Sequence, residues 1–320
     1  MARLIAWTIA AVLSSSLAWG QPYPAKPIKL VAPSTPGDAP DVIARLVADK
    51  LSPALGQQVV VENRPGAGGV VGSDYVAKAL PDGYTLIMGN AGSHGINAAV
   101  YSTLPYDIQR DFAPVSQVAV APNVMVINPS VPANSVSEFI AYAKANPGKL
   151  SYASGGNGSS AHMSMELFKS MSGIDIQHVP YKGSSPALTD VVSGQVVAFI
   201  GNMPPTVPLI KAGKLRAYAF SGAKRSQHLP DVPTMTELGY PEIQFMGWVG
   251  MIGSPKLKPD LLAQIQKAVA KAASAPAVRQ KLLDVGLEPE INTDTSALQR
   301  ETREMSERNA AIVRKYEIRM

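Results

Sequence analysis

The sequence has 320 residues, which is enough for two domains of ordinary size. Apolar residues make up 46% and charged residues 17%, a composition typical of a globular protein. Cysteine is absent, so disulfides, cysteine-based metal sites and a cysteine nucleophile are excluded. The formal net charge of +5 comes from dispersed lysines and arginines without a basic run, which argues against a nucleic-acid partner.

Residues 1–20 have the pattern of a secretory signal peptide. Arg3 supplies the positive charge, Leu4 to Leu13 form an apolar stretch that is too short to span a bilayer, and small residues follow. We expect cleavage after Gly20 and export of a soluble chain, with a short membrane anchor as the alternative. No cysteine follows the signal, so the sequence offers no lipid attachment site.

Behind the signal, strand and helix patterns alternate. In chain order they predict a strand at 28–32, a helix over 42–51, a strand at 59–61, a helix through 76–79, strands at 84–88, 115–120 and 124–127, a helix over 132–146, a strand at 150–153, a helix over 163–171, a strand at 176–179, a helix over 186–192, a strand at 196–200, a helix over 206–212, a strand at 216–220, and helices over 259–273 and 295–316. This alternation favours an α/β fold with doubly wound parallel sheets. Two such units without a disordered linker indicate a clamshell with a ligand between its halves.

Two glycine-rich loops carry the chemical argument, because each lies between a strand and a helix. They are residues 33–41 (PSTPGDAPD) and residues 154–160 (SGGNGSS). In open α/β sheets, ligands bind beyond the carboxyl ends of strands, and helix N-termini attract anions. The alternative is ordinary turn chemistry, with Ser159 or Ser160 capping the following helix. Two further positions each allow two interpretations: His94 could face the cleft or a surface turn, and Lys182 could attract an anion or lie in solvent. Trp248 is better explained by core packing than by ligand stacking.

Enzyme motifs are missing. The sequence has no GxSxG elbow, Walker lysine, GxGxxG or HExxH. Ser159, His162 and Glu166 suggest catalysis, but the four-residue spacing of His162 and Glu166 on a helix favours a structural pair, or a histidine hydrogen-bonded near the cleft. An exported α/β hydrolase is therefore the weaker alternative, and we expect no cofactor and no metal.

Eight ordered segments carry a family resemblance. They lie at 23–33 (YPAKPIKLVAP), 61–69 (VENRPGAGG), 81–86 (PDGYTL), 105–115 (PYDIQRDFAPV), 142–168 (YAKANPGKLSYASGGNGSSAHMSMELF), 179–196 (VPYKGSSPALTDVVSGQV), 210–219 (IKAGKLRAYA) and 229–242 (LPDVPTMTELGYPE). In these segments the chain resembles the periplasmic solute receptors of the tripartite tricarboxylate transporter family, also called Bug receptors. The resemblance spans nearly the whole chain after the signal.

The resemblance implies a two-lobed, type II Venus-flytrap fold in which each lobe is a mostly parallel sheet flanked by helices. With the strand pattern it places the first lobe at 21–120 and 223–320 and the second lobe at 121–222. It implies that backbone amides of the two loops bind a carboxylate and that the protein is not an enzyme. The expected ligand-binding residues are Ser34, Gly37, Asp38, Ala39, Ser93, His94, Ser154, Gly155, Gly158, Ser159, Ser160 and Asn202.

The first loop departs from the family pattern P-F-x-P-G-G-x-x-D. Ser34 replaces the aromatic residue, Asp38 replaces the second glycine, and Pro40 removes one N–H donor. Asp38 could cap its helix together with Asp41. Gly201 also stands where the family often has aspartate. We therefore hypothesise that the first-lobe anion site is weakened or repurposed, for a monocarboxylate, an aromatic acid, or an acid with a hydroxyl or amine that meets Asp38.

The sequence thus predicts a monomeric periplasmic receptor that binds a small organic acid, either a mono- or a dicarboxylate. The resemblance implies that it delivers this ligand to the membrane subunits of a tripartite transporter. An orphan or sensory receptor of the same fold is the second interpretation.

Overall fold

The computed structural model describes residues 23–243 and 246–318, so the predicted signal peptide and its cleavage site lie outside the described residues. The strands are β1 (Ile28–Ala32), β2 (Val59–Asn63), β3 (Thr85–Asn90), β4 (Ala113–Ile127), β5 (Ser151–Ser154), β6 (Gln177–Pro180), β7 (Ala198–Asn202), β8 (Arg216–Phe220), β9 (Met246–Gly253) and β10 (Glu288–Asn292). The helices are α1 (Ala39–Leu55), α2 (Val70–Ala77), α3 (Asn97–Val100), α4 (Ile108–Asp111), α5 (Val136–Ala145), α6 (Ser160–Ser172), α7 (Ser184–Ser193), α8 (Met203–Lys211), α9 (Pro259–Ala273), α10 (Pro276–Asp284) and α11 (Thr295–Lys315). A 3₁₀ turn at Ala67–Gly69 and a π-helical turn at Gly92–Ile96 precede α2 and α3.

Two sheets share the long strand β4. The first sheet runs β2-β1-β3-β9-β4, with β10 also paired to β4, and the second runs β4-β7-β5-β6, with β8 also paired to β4. β4 pairs with β9 up to Pro122 and with β7 from Asn123 onward. One strand therefore links the two lobes, where the sequence predicted two separate strands at 115–120 and 124–127.

Both sheets are mixed. The β1–β2, β1–β3, β5–β6 and β5–β7 pairs are parallel, as the alternating pattern predicts. The pairs that involve β4, and the pair of β3 with β9, are antiparallel. The α/β, two-lobed fold class is confirmed, but the expectation of mostly parallel sheets is wrong, because every pair made by β4 or β9 is antiparallel.

Apolar helix faces cover the sheets. In the first lobe, Ile43 of α1 and Val269 of α9 lie in one buried cluster with Leu30 of β1. In the second lobe, Phe168 of α6 packs on one face of the sheet, while Val191 of α7 lies in the cluster on the other face. In this arrangement the first turns of several helices lie at the sheet edge that holds the carboxyl ends of the strands before them.

The lobe boundaries stay a prediction. The change of sheet in β4 between residues 122 and 123 lies close to the predicted first boundary at 120/121. At the second boundary, predicted at 222/223, Leu229, Met235 and Ile243 still pack in the apolar clusters of the second sheet. This packing favours a second crossover nearer the start of β9.

Candidate ligand-binding cleft

A cleft between the two lobes is lined by residues of both predicted loops, 33–41 and 154–160. Its volume is about 60 Å³, several times the roughly 10–15 Å³ that one water molecule needs. From the first lobe it is lined by Pro33, Ser34, Asp38, Pro40, Gly66, Gly68, Gly69, Asn90 and Gly92. From the second lobe it is lined by Gly155, Ser159, Ser160, Ala161, Lys182, Gly183, Ser184, Gly201 and Asn202.

The N-termini of α1, α6, α7 and α8 meet at this cleft. Their first or capping residues, Asp38, Ser160, Ser184 and Asn202, all line it. The first N–H groups of a helix have no partner inside the helix, and the aligned peptide dipoles make that end positive. Helix starts from both lobes therefore create an environment that favours an anion.

Asp38 does not cap α1, although it occupies the N-cap position. Its Oδ2 accepts hydrogen bonds from Thr35 Oγ1 at 2.7 Å and from the backbone N–H of Ser184 at 3.3 Å. Ser184 begins α7 in the opposite lobe, so the carboxylate spans the cleft and faces a helix start other than its own. The side chain is buried, and this burial raises the pKa of Asp38 above its usual value, although the hydrogen bonds oppose that change.

Asp41 holds the first loop in shape. Its Oδ2 accepts from the N–H of Gly37 at 2.9 Å, and its Oδ1 accepts from Arg45 Nε at 3.0 Å and Asn63 Nδ2 at 2.8 Å. Burial raises the pKa of Asp41, but these donors outweigh the burial and the pKa lies below its usual value. The predicted capping of α1 is therefore wrong, because Asp38 makes no capping bond and Asp41 accepts from Gly37, which precedes the N-cap residue.

Ser159 caps α6, as the alternative interpretation of this loop allowed. Its Oγ accepts from the N–H of His162 at 3.2 Å. Beneath the loop, the His162 and His178 rings stack with centroids 3.9 Å apart. Gly158 N–H donates to His162 Nδ1 at 3.3 Å, and His178 Nε2 lies 2.7 Å from Ser154 Oγ.

These two histidines support the loop as neutral rings. Burial, and then nearby Lys169, lowers the pKa of His162 to about 4. Burial, and then His162, lowers the pKa of His178 to about 3. Glu166 bonds Lys169 and Tyr152, so a pair of His162 with Glu166 is wrong. The other alternative, a histidine hydrogen-bonded near the cleft, is observed. The role of His178 was not predicted from the sequence.

Half of the expected ligand-binding residues line the cleft and half do not. Those that line it are Ser34, Asp38, Gly155, Ser159, Ser160 and Asn202. Those that lie outside its lining are Gly37, Ala39, Ser93, His94, Ser154 and Gly158. Ser154 and Gly158 are instead supporting residues, through the hydrogen bonds described above.

His94 turns away from the cleft, contrary to its expected place in the ligand site. Asn90 at the end of β3 and Gly92 at the start of the π-helical turn line the cleft, while the His94 ring packs edge-on against Phe112 with centroids 4.6 Å apart. Trp248 is buried on the same side, as the core interpretation predicts.

Most lining residues without a reactive side chain were not predicted from the sequence. Gly66, Gly68 and Gly69 come from the NRPGAGG segment, which lies at the end of β2 in the position where the first loop lies after β1. That repeated strand–loop–helix position was the available signal. Lys182, for which the sequence allows two interpretations, is exposed and lies in the cleft lining.

Within 23–243 and 246–318, no group of histidine and acidic side chains has a geometry that could hold a metal ion. Over the same ranges, none of the helices combines the length and the apolarity that crossing a membrane requires.

Residues 43–318 match the model of the tripartite tricarboxylate transporter family receptor. The chain belongs to this family. Protein BugT of Bordetella pertussis is 40% identical over 272 residues, which cover 85% of this chain and 83% of BugT. The predicted family membership is thereby confirmed.

Solved structures agree with the fold. A Rhodopseudomonas palustris protein in complex with adipate superposes with a TM-score of 0.88 at 36% identity, covering 93% of this chain and 99% of that one. MatC of the same organism, with bound malate, gives a TM-score of 0.87 at 32% identity and covers 91% of this chain and 100% of its own. Adipate and malate are both small dicarboxylates, and they are the ligands of those two proteins.

Proposed function

We propose that this chain is a periplasmic receptor that captures a small organic carboxylate in the interlobe cleft and delivers it to the membrane subunits of a tripartite tricarboxylate-type transporter. The observation that carries this proposal is the meeting of the N-terminus of α1 from the first lobe with those of α6, α7 and α8 from the second lobe at one cleft. Family membership and the adipate and malate complexes of two relatives support it.

The N-terminus of α6 is the best place for a ligand carboxylate. Ser160 and Ala161 begin this helix and both line the cleft, whereas the first N–H of α7 is used by Asp38. The helix has 13 residues, long enough for a full peptide dipole at this end. The ligand carboxylate replaces water as the acceptor for these N–H groups when the lobes meet.

Calorimetry on the mature chain, unfolded and refolded to remove carried-over ligand, tests this function. The panel contains mono-, di- and tricarboxylates, together with amides and alcohols of the same carbon skeletons. We expect at least one carboxylate to bind and its uncharged analogue to fail. Binding of the uncharged analogues alone, or of none of the panel, would contradict the proposal.

A pair of variants at one position tests the α6 site. Ser160 is the first residue of α6, and Ser159 before it has the extended backbone that proline tolerates, so Ser160→Pro removes the N–H without breaking the helix. Ser160→Ala removes only the hydroxyl and is the matched control. We expect Ser160→Pro to weaken carboxylate binding about tenfold beyond Ser160→Ala, because a hydrogen bond to a charged group contributes about 1.5–3 kcal/mol. Equal affinities for the two variants would place the carboxylate elsewhere.

A further inference from the structure

The cleft contains a buried acid, which is unexpected where several helix starts favour an anion. Among the described residues that line it, Asp38 and Lys182 carry the charged side chains. Asp38 is 3% exposed, whereas Lys182 is exposed at the mouth. The interior of the cleft therefore has a negative position opposite its positive helix ends.

One oxygen of this acid is free to meet a ligand. Oδ2 is held by Thr35 and Ser184, but Oδ1 is buried and has no hydrogen-bond partner in the protein. Thr35 and Ser184 fix the carboxylate from both lobes, so Oδ1 has a defined direction. A buried acceptor of this kind is satisfied when a bound molecule supplies a donor.

Two more buried oxygens in the lining lack partners. These are Ser34 Oγ and Asn202 Oδ1, one from each lobe, and both residues line the cleft with Asp38. A protonated amine donates three hydrogen bonds and carries the charge that a buried carboxylate requires. A hydroxyl donates one, and a ligand carboxylate donates none, so an amine fits this set best.

We propose that the ligand carries a protonated amine besides its carboxylate, with Asp38, Ser34 and Asn202 receiving the amine and the α6 N-terminus receiving the carboxylate. This inference rests on the proposed function, which it narrows from carboxylates in general to amino-bearing carboxylates. Asp38 thereby acts as the residue that determines specificity.

Calorimetry with matched ligand pairs tests the inference. Each pair shares a carbon skeleton and differs by one amine: succinate with aspartate, glutarate with glutamate, and butyrate with 4-aminobutyrate. For the pair that fits the cleft, we expect the amino compound to bind the wild-type chain at least tenfold more tightly than its partner. Asp38→Asn keeps the shape of the side chain but removes its charge, and we expect it to lose at least tenfold of this preference.

Asp49→Asn is the matched control, because Asp49 is exposed on the same helix α1 and far from its N-terminus. It should leave the preference unchanged. Asp38→Gly introduces the glycine that the family pattern has at this position. This variant should bind the member of the pair without an amine more tightly than the wild type does. Circular dichroism before each titration confirms that a variant is folded.

The outcomes separate the two proposals. Equal binding of both members of a pair by the wild type, or an unchanged preference in Asp38→Asn, overturns the amine inference and leaves the carboxylate receptor intact. If the wild type binds none of the six compounds and also no other member of the wider carboxylate panel, the proposed function is overturned. The amine inference, which rests on that function, is then overturned too.

Discussion

Asp38 and Asp41 lie three residues apart at the start of α1, and both are buried, but their surroundings have opposite effects. Asp41 receives donors from a backbone amide, a guanidinium and a side-chain amide, and they hold its pKa below the usual value despite burial. Asp38 receives two uncharged donors through one oxygen, so burial dominates and raises its pKa. Asp41 is therefore an anion with a structural role, whereas Asp38 keeps an oxygen that can accept a hydrogen bond from a ligand.

The stacked pair His162–His178 makes stability depend on pH. Folding lowers the pKa of His162 to about 4 and that of His178 to about 3, from about 6.5 in the unfolded chain. Below pH 6.5 the unfolded chain therefore binds protons that the folded chain excludes. The free energy of unfolding then falls as the pH falls toward 4.

The variant His178→Gln tests this dependence, because an amide can keep the hydrogen bond to Ser154 without titrating. We expect the wild type to lose its stability advantage over the variant as the pH drops from 7.5 to 5. Urea denaturation of both proteins at several pH values measures the difference, in which contributions from other groups such as Asp38 cancel. A difference that stays constant across this range would show that His178 does not titrate as described.

At the scale of elements, Asp41 connects the first loop, α1 and β2. It reaches Gly37 in the loop, Arg45 one turn along the helix and Asn63 at the end of the strand. Asn63 also donates to the carbonyl of Ser34 at 3.1 Å, so the loop is tied to the strand twice. The shape of this wall of the cleft depends on one carboxylate.

We expect Asp41→Asn to destabilise the protein by about 1.5–3 kcal/mol, because hydrogen bonds to a charged group are lost and an amide nitrogen then faces other donors. Asp49→Asn, on the exposed part of the same helix, should change stability by no more than about 0.5 kcal/mol. Urea denaturation at pH 7 measures both. Equal effects of the two variants would remove the structural role of Asp41.

The sequence predicts the elements that have strong local patterns and misses those that depend on distant partners. The strands at 28–32 and 216–220 and the helix at 259–273 are observed with these bounds. Strand β9 was missed because three glycines obscure its pattern. The structure explains why residue 250 is glycine, since a Cβ there would lie 2.6 Å from the carbonyl oxygen of Ser116 in β4.

The same limit applies to the cleft. The two loops were found because glycines and hydroxyls between a strand and a helix are a local signal. The direction of the Asp38 side chain was not predicted, because it depends on Ser184, which is 146 residues away in sequence. The position of His94 was wrong because nothing in the sequence marked the π-helical turn at Gly92–Ile96.

At the scale of the whole molecule, the lobes touch on both sides of the cleft. On one side, Ser185 Oγ donates to the carbonyl of Pro36 at 2.9 Å, next to the contact between Asp38 and Ser184. On the other side, Tyr101 donates to the carbonyl of Asn157 at 3.0 Å. Both contacts end on backbone carbonyl oxygens, so the chain of one lobe lies close to the other lobe on each side of the cleft.

Gly68 lies against Asn157 of the opposite lobe, so a substitution at Gly68 tests whether ligand binding requires the two lobes to meet there. A Cβ at this position would lie 2.3 Å from the carbonyl oxygen of Asn157 in the opposite lobe, and φ is +59°. Gly213→Ala is the matched control, because φ there is +68° and no atom lies within 4 Å of the added carbon. Both variants bear a similar backbone cost, about 1–2 kcal/mol, but only Gly68→Ala obstructs contact between the lobes.

We therefore expect the two variants to lose similar stability and to differ in binding. Gly68→Ala should weaken ligand affinity at least tenfold, because the bound state requires the lobes to meet, while Gly213→Ala should bind as the wild type does. Calorimetry gives the affinities, and small-angle X-ray scattering with and without ligand gives the change in radius of gyration. Wild-type affinity and a normal contraction in Gly68→Ala would show that ligand binding does not need the contact between Gly68 and Asn157, and that the lobes hold the ligand through the Asp38 side of the cleft alone.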